Sequence, residues 1–281
     1  STRNNGVPTK LFPVIYDYNY VIVQAVIDGK YYYLDATEKY IPFGQVPVRT
    51  LNGEARVINY KDKSFWVTLK PKNQSAINIS AKLTLDEEGA FLGYLRIRRD
   101  GYFTSKQRKK ISLKSEENYL EDFEAKNENI EIEDYKVKNL DALDKNLEEN
   151  FTIRLEMNES LGNKIRINPF LFNRIKQNPF QLKDRYYTVD FGYYRRDNYY
   201  LTLEIPADYK IIKLPKDKAI SLPNNGGNFI VKTIQKGNYI NILTRLNIAK
   251  KYYSVNDYYA LKEFYKQIII SESDYIILEK K

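Results

Sequence analysis

The sequence contains no cysteine and no histidine among its 281 residues, and a single methionine and a single tryptophan. Without cysteine there is no disulfide and no thiol nucleophile. Without histidine there is no imidazole base. The two absences exclude a Ser-His-Asp or Cys-His triad and a Cys/His zinc site made from this chain alone. Any chemistry left to it must use carboxylates, lysine, tyrosine, serine or threonine. No apolar run approaches the roughly 18 residues needed to span a membrane, and the first residues lack the basic-then-apolar pattern of a secretory leader. Missing cysteine is common both to exported proteins without disulfides and to cytosolic ones, so it does not set the compartment.

What is present is ample charge and tyrosine. Lys and Arg number 45 against 36 Asp and Glu, for a net charge of +9, and 26 residues are tyrosine. Hydrophobic residues make up 43%, enough for a core. The length suggests one or two domains. A basic balance allows an anionic partner, but no basic run is long enough to act as a tail, which disfavours nucleic acid. The only methionine is Met157, and the opening Ser1-Thr2-Arg3-Asn4-Asn5-Gly6-Val7-Pro8 resembles the middle of a loop. The expectation is a piece of a longer protein.

The pattern along the chain is mainly β. Tyr20–Ile27 and Lys30–Ala36 flank Asp28-Gly29, the strongest short-range hairpin signal. A two-residue loop sets Ile27 opposite Lys30. One face then carries Val21, Val23, Ala25, Ile27, Tyr32, Leu34 and Ala36, the expected core face. Tyr20, Ile22, Gln24, Val26, Tyr31, Tyr33 and Asp35 share the other. A second strand pair is expected over 57–60 and 64–69. The polar, Pro-bearing stretch 70–75 marks the expected boundary between a unit at 1–70 and one at 71–281. Beyond it, many short strands with Pro and Gly turns suggest antiparallel sandwich-like units. Two helices interrupt. One is capped by Ser115 and carries Tyr119, Leu120 and Phe123. The other is capped by Ser254 or Asn256 and carries Leu261, Phe264, Tyr265 and Ile268. The fold class expected is α+β, dominated by antiparallel sheet.

Three clusters invite a functional reading. Arg96, Arg98, Arg99, Lys106, Arg108, Lys109 and Lys110 form a basic group, expected as a solvated face or a partner for the acidic helix after Ser115. The acidic stretch from Glu116 to Glu149 lacks the spacing and central glycine of a calcium loop and is expected at the surface. Tyr31-Tyr32-Tyr33, Tyr193-Tyr194 and Tyr199-Tyr200 alternate across strands, so half of each is expected in the core and half free to stack on a sugar or peptide.

The hairpin register also puts Asp35 diagonal to Tyr20 on one face, within reach of long side chains. A carboxylate so placed can orient a neighbouring side chain, as the acid of a nucleophile–base–orienter triad does. A strand-end aspartate bonding the next turn, and a packed tyrosine, are the alternatives.

Several segments carry a resemblance. Ser1 to Gly6, Tyr18-Asn19-Tyr20-Val21-Ile22, Ile27-Asp28-Gly29-Lys30 and Tyr33-Leu34-Asp35-Ala36-Thr37 are similar to the C-terminal part of a bacterial transglutaminase-like, papain-like core. Tyr40-Ile41-Pro42-Phe43-Gly44, Pro47-Val48-Arg49 and Leu51-Asn52-Gly53 resemble the segment that follows. Residues 71–281 resemble the β-rich domain of unknown function found after such cores, through Asn178-Pro179-Phe180, residues 185–192 and Ile205-Pro206-Ala207-Asp208-Tyr209. The resemblance implies Cys-dependent acyl transfer or peptide cleavage in the parent, and export. It places the family's aspartate at Asp35, its histidine position at Tyr20, and its cysteine upstream of Ser1. A tyrosine ionises near pH 10 in model peptides against about 6.5 for histidine, which makes it a poor base at neutral pH. The expectation is therefore a non-catalytic portion with a structural or binding role. The alternative is a glycan- or protein-binding module using exposed tyrosines. No cofactor or metal is implied, and the oligomeric state is left open.

Overall fold

A computed structural model describes residues 1–12, 14–72, 74–127, 129–156, 160–161 and 163–281. Asn73 of the expected boundary, Glu128 of the acidic stretch and Met157 lie outside these residues.

The chain opens with two small hairpins. Strands β1 (Val23–Ile27) and β2 (Lys30–Leu34) pair with Ile27 opposite Lys30 and Val23 opposite Leu34. Asp28 and Gly29 both have positive φ, 48° and 72°, which the tight turn between them requires. Strands β3 (Glu54–Val57) and β4 (Phe65–Thr68) form the second hairpin. The long strands follow: β5 (Ser75–Leu85) and β6 (Phe91–Asp100), then helices α1 (Tyr102–Ser112) and α2 (Glu116–Lys126), then β7 (Ile130–Lys138) and β8 (Leu147–Leu155). After β9 (Ser160–Leu161), β10 (Lys164–Ile167) and β11 (Val189–Asp190) come β12 (Arg195–Glu204), β13 (Tyr209–Lys213), β14 (Lys218–Leu222), β15 (Gly227–Lys236), β16 (Tyr239–Ile248) and β17 (Tyr252–Tyr253). Helix α3 (Tyr258–Glu272) and strand β18 (Ile276–Lys280) close the chain.

An eight-stranded sheet in the order β14-β15-β16-β12-β5-β6-β8-β7 is the frame. Every neighbouring pair is antiparallel except β12 and β5, which run parallel with Tyr199 opposite Ile79. Two antiparallel halves are thus joined through one parallel pair, giving the β-rich α+β class. A four-stranded sheet, β13-β18-β10-β9, joins the same core. Alternation explains that core. Ile79, Leu83, Leu95, Phe151, Leu201, Phe229 and Ile242 point inward from the large sheet, and Leu261, Phe264, Tyr265 and Ile268 of α3 pack among them. Phe123 of α2 stacks on Phe151 with ring centroids 4.7 Å apart. The other face of the large sheet is polar and partly exposed.

The expected helices form. Ser115 caps α2 by accepting a hydrogen bond from the Asn118 N–H, and Ser254 and Asp257 build a capping box just before α3. Helix α1 was not expected. It begins after Gly101, whose φ of 62° turns the chain out of β6, and its residues carried no apolar period. The surface reading of the basic and acidic clusters also needs correction. Arg108 is wholly buried and donates to the carbonyl oxygens of Asn139, Ala142, Leu143 and Lys145, holding the β7–β8 loop in a cage. Glu149 is buried too, because β8 alternates strictly and its odd positions face the core. Its carboxylate pairs with Arg99 and accepts from Gln107, Tyr119 and Tyr135. A buried carboxylate is tolerated only with such donors. Burial and this carboxylate push the Tyr119 hydroxyl far above the usual tyrosine range.

A second, smaller core holds Val46, Leu51, Leu69 and Tyr102, with Ile22, Tyr33 and Tyr193 packed against it. It corrects the expected face of the first hairpin. Val23 and Ile27, expected in a core, are 60% and 43% exposed, whereas Ile22 and Tyr33 of the opposite face are drawn in. Both faces of this ribbon are apolar enough to bury. The 46–51 segment docks on the face that bears Tyr20 and Asp35, and so decides which is covered.

Candidate functional site

Residues 1–50 bring five side chains together at the open end of the β1–β2 hairpin. Asp35 directly follows β2. Its Oδ1 accepts the Thr37 backbone N–H at 2.8 Å and the Thr37 hydroxyl at 2.7 Å, the turn a strand-end aspartate makes. Its Oδ2 accepts the Tyr20 hydroxyl at 2.6 Å. Tyr20 itself lies before β1, beyond the last paired residue, so the ladder does not fix it; the hydroxyl contact with Asp35 does.

Arg49, in a short 3-10 turn over Val48–Thr50, closes the cluster. Its guanidinium lies 4.6 Å from the centre of the Tyr20 ring, within the range of a cation–π contact. One Arg49 nitrogen donates to the Tyr20 hydroxyl oxygen and the other pairs with Glu38. The first also stands 3.7 Å from the Asp35 carboxylate. The Arg3 N–H donates to the Arg49 carbonyl at 2.8 Å, and the Thr2 N–H to Asn19 Oδ1 at 2.9 Å. The first residues of the chain thereby brace both sides of the cluster.

The Asp35 side chain is only 1% exposed. Burial works against its charge, but the hydrogen bonds from Tyr20 and Thr37 and the nearby Arg49 charge outweigh it. The carboxyl is held below its usual range and is ionised at neutral pH. For Arg49, burial is likewise outweighed, here by Glu38 and Tyr20, and its charge is strengthened. The proton count at Tyr20 follows. Its single hydroxyl proton goes to Asp35, and its oxygen accepts from Arg49. The oxygen therefore sits between a donor and an acceptor, and its close neighbour is the Thr37 hydroxyl at 2.7 Å. This is a closed hydrogen-bond relay that orders the hairpin end. A general base needs a free lone pair aimed at a substrate proton, and here the lone pair facing Arg49 is engaged.

Asp35 and Tyr20 were both named from the sequence, and the structure brings them into contact. Thr37, Glu38 and Arg49 were not named as site residues. Thr37 could have been found from its place two residues after the aspartate. Arg49 lies in the quoted Pro47-Val48-Arg49 segment, but nothing local links it to a residue 29 positions earlier.

The cluster is tied to the rest of the molecule. Arg3 pairs with Asp190 at 2.5 Å, and its other nitrogen donates to the Asp190 carbonyl at 2.7 Å. Lys251, itself buried, donates to the Leu51 carbonyl at 2.9 Å. Among the described residues, no group of three or more His, Cys, Asp or Glu side chains could hold a metal ion, and no helix is long and apolar enough to cross a membrane.

Comparison with known proteins adds one family match. Residues 162–278, less than half of the chain, match the model of a domain of unknown function, DUF3858. No curated protein matches the chain. Among solved structures, one of a "putative protease" from Parabacteroides distasonis matches over 92% of this chain at 12% identity with a TM-score of 0.40. The match covers 35% of that protein's length.

Proposed function

We propose that this chain is the non-catalytic C-terminal portion of a transglutaminase-like protein, with a structural or binding role, and that the parent's chemistry is Cys-dependent acyl transfer or peptide cleavage. The observation that carries the reading is the pairing of Tyr20 with Asp35. The aspartate stands in its Leu-Asp-Ala-Thr context and orients a side chain at the position where the family has histidine. The geometry of an orienting acid is kept, while the group it orients is a hydroxyl engaged on both sides. Asp35 is assigned as the relic of the orienting acid and Tyr20 as the substituted base.

Two further features support this. The three segments that resemble the domain following such cores all fall within the residues matched by the family model. The face of the first hairpin that bears Val21, Val23 and Ile27 is exposed, and Leu11, Phe12, Ile15 and Tyr16 are exposed as well. Exposed apolar patches of this kind mark surfaces that pack against something. The division at residue 70 is retained in this proposal as one between core-derived and following units, clipped together by Arg3–Asp190 and Lys251–Leu51.

The test is an amidase and transamidation assay on the chain and on Asp35→Ala. We expect no turnover above background in either. The substitution removes the acceptor of three hydrogen bonds, from the Tyr20 hydroxyl and from the Thr37 N–H and hydroxyl, and should lower stability by about 2–4 kcal/mol in a urea titration. Turnover by the native chain that disappears in Asp35→Ala would overturn the proposal.

A further inference from the structure

The exposed face of the eight-stranded sheet carries a second constellation, far in sequence from Asp35. A depression of about 230 Å³ is lined by Arg196 and Asn198 of β12, Asn228 of β15, and Arg245 and Asn247 of β16. The registers place them. Arg196 stands opposite Asn247, Asn198 opposite Arg245, and Asn247 opposite Asn228. The two arginines are therefore diagonal neighbours on one face, with Cα atoms about 7–8 Å apart.

Two like charges on adjacent strands of one face favour an anion that neutralises both. None of the lining residues is acidic. Arg245 Nε donates to Asn198 Oδ1 at 3.1 Å, which fixes its stem, while the Arg196 side chain makes no hydrogen bond or ion pair among the described residues. The acids in line with these residues lie two and three strands away and are engaged elsewhere, Asp100 of β6 with Arg98 at 3.5 Å and Glu148 of β8 with Lys138 at 3.2 Å. The floor is equally particular. Asn198 donates to Asn78 at 2.8 Å and Asn247 accepts from Gln74 at 3.2 Å, so the amides are held in place. The Asn228 side chain makes no hydrogen bond among the described residues.

We propose that this depression binds an anionic carbohydrate, with its oxyanion on Arg196 and Arg245 and its hydroxyls on the Asn228 and Asn247 amides. Guanidinium groups match planar and tetrahedral oxyanions through paired N–H donors. Side-chain amides offer a donor and an acceptor together, as a ring hydroxyl requires. The volume lies below the roughly 300–1,000 Å³ of a cleft for a drug-sized ligand, which fits one sugar ring rather than an enclosed chain. Tyr200, next but one to Asn198 on the same strand face and 45% exposed, offers an aromatic surface for an adjoining ring. An acidic peptide is the poorer fit. β12, β15 and β16 are each paired on both sides, so no strand edge is free for an added strand, and no apolar side chain lines the depression to anchor one.

Calorimetric titration tests this with five probes: trigalacturonate, a sulfated disaccharide, a neutral galactose trimer, inorganic phosphate and a triglutamate peptide. We expect binding of at least one acidic sugar, and affinity at least tenfold weaker for the neutral trimer and for phosphate. Arg196→Gln and Arg245→Gln should each weaken the acidic sugar at least tenfold, with unchanged thermal unfolding. Lys236→Gln, which removes the same charge at the far end of β15, should leave affinity within twofold. Any of four results overturns the proposal: no binding of either acidic sugar, equal binding of the neutral trimer, phosphate or a triglutamate peptide binding as tightly, or an equal loss in Lys236→Gln.

Discussion

Glu272→Gln should make the protein more stable at high pH and leave it nearly unchanged at low pH. Glu272 is the last residue of α3 and is buried. Its Oε2 accepts the Ile175 N–H at 2.8 Å, and Asn168 donates to its carbonyl at 3.1 Å, so it pins the 168–175 loop over the end of the helix. Burial pushes its carboxyl up to about 7. The Ile175 N–H and Arg174 oppose the rise, and the Asp197 charge adds to it. A carboxyl that is harder to ionise in the folded state costs nothing while both states are protonated. The cost appears as pH rises above the unfolded value of 4.5 and is complete above about 7. For these two values the cost grows by about 2.5 kcal/mol between pH 5 and pH 8. Glutamine keeps the acceptor for Ile175 and cannot ionise, so the variant escapes the cost. Urea unfolding of both proteins at pH 5, 6, 7 and 8 gives the stability difference at each pH. Subtracting the native curve cancels the other titrating groups, such as Asp35, whose lowered pKa acts in the opposite direction and loses stability as pH falls. A difference that does not change with pH would refute the reasoning, whatever its size.

Two further substitutions probe the frame. Arg108→Met should lower stability by at least about 3 kcal/mol, because it leaves four carbonyl oxygens of the β7–β8 loop without their donor; faster amide exchange across residues 139–146 would mark the released loop, and unchanged exchange would show that the cage does not hold it. Gly227→Ala should be strongly destabilising or insoluble, since a Cβ there would lie 2.2 Å from the Asn247 carbonyl oxygen in the neighbouring strand; a native-like melting temperature would count against the strand spacing described.

Part of the candidate site is local and part is not. Asp-Gly forces a tight turn, and the turn fixes the β1–β2 register, which brings the chain ends bearing Tyr20 and Asp35 side by side. That chain of reasoning needs only a two-residue loop and the pleat. The partners that decide the chemistry come from a distance. Arg49 reaches the Tyr20 oxygen only because the 46–51 segment folds back across the hairpin, and that segment is held by Val46 and Leu51 in the small core and by Lys251 from the far end of the chain. Arg108 and Glu149 show the same limit. Their charges suggest solvent, and only the strand phase and the loop carbonyls around them show why they are buried.

The absence of histidine and cysteine, the β pattern with its two amphipathic helices, and the hairpin register were determined by the sequence itself, because each depends on residue type or on spacing within a few positions. Tertiary structure decided which face of the first hairpin is covered, that β5 and β12 lie side by side in parallel, and that Arg196 and Arg245 share one depression with three asparagines. Those outcomes depend on contacts between segments far apart in the chain, whose free energies compete and are settled only when the whole sheet has formed.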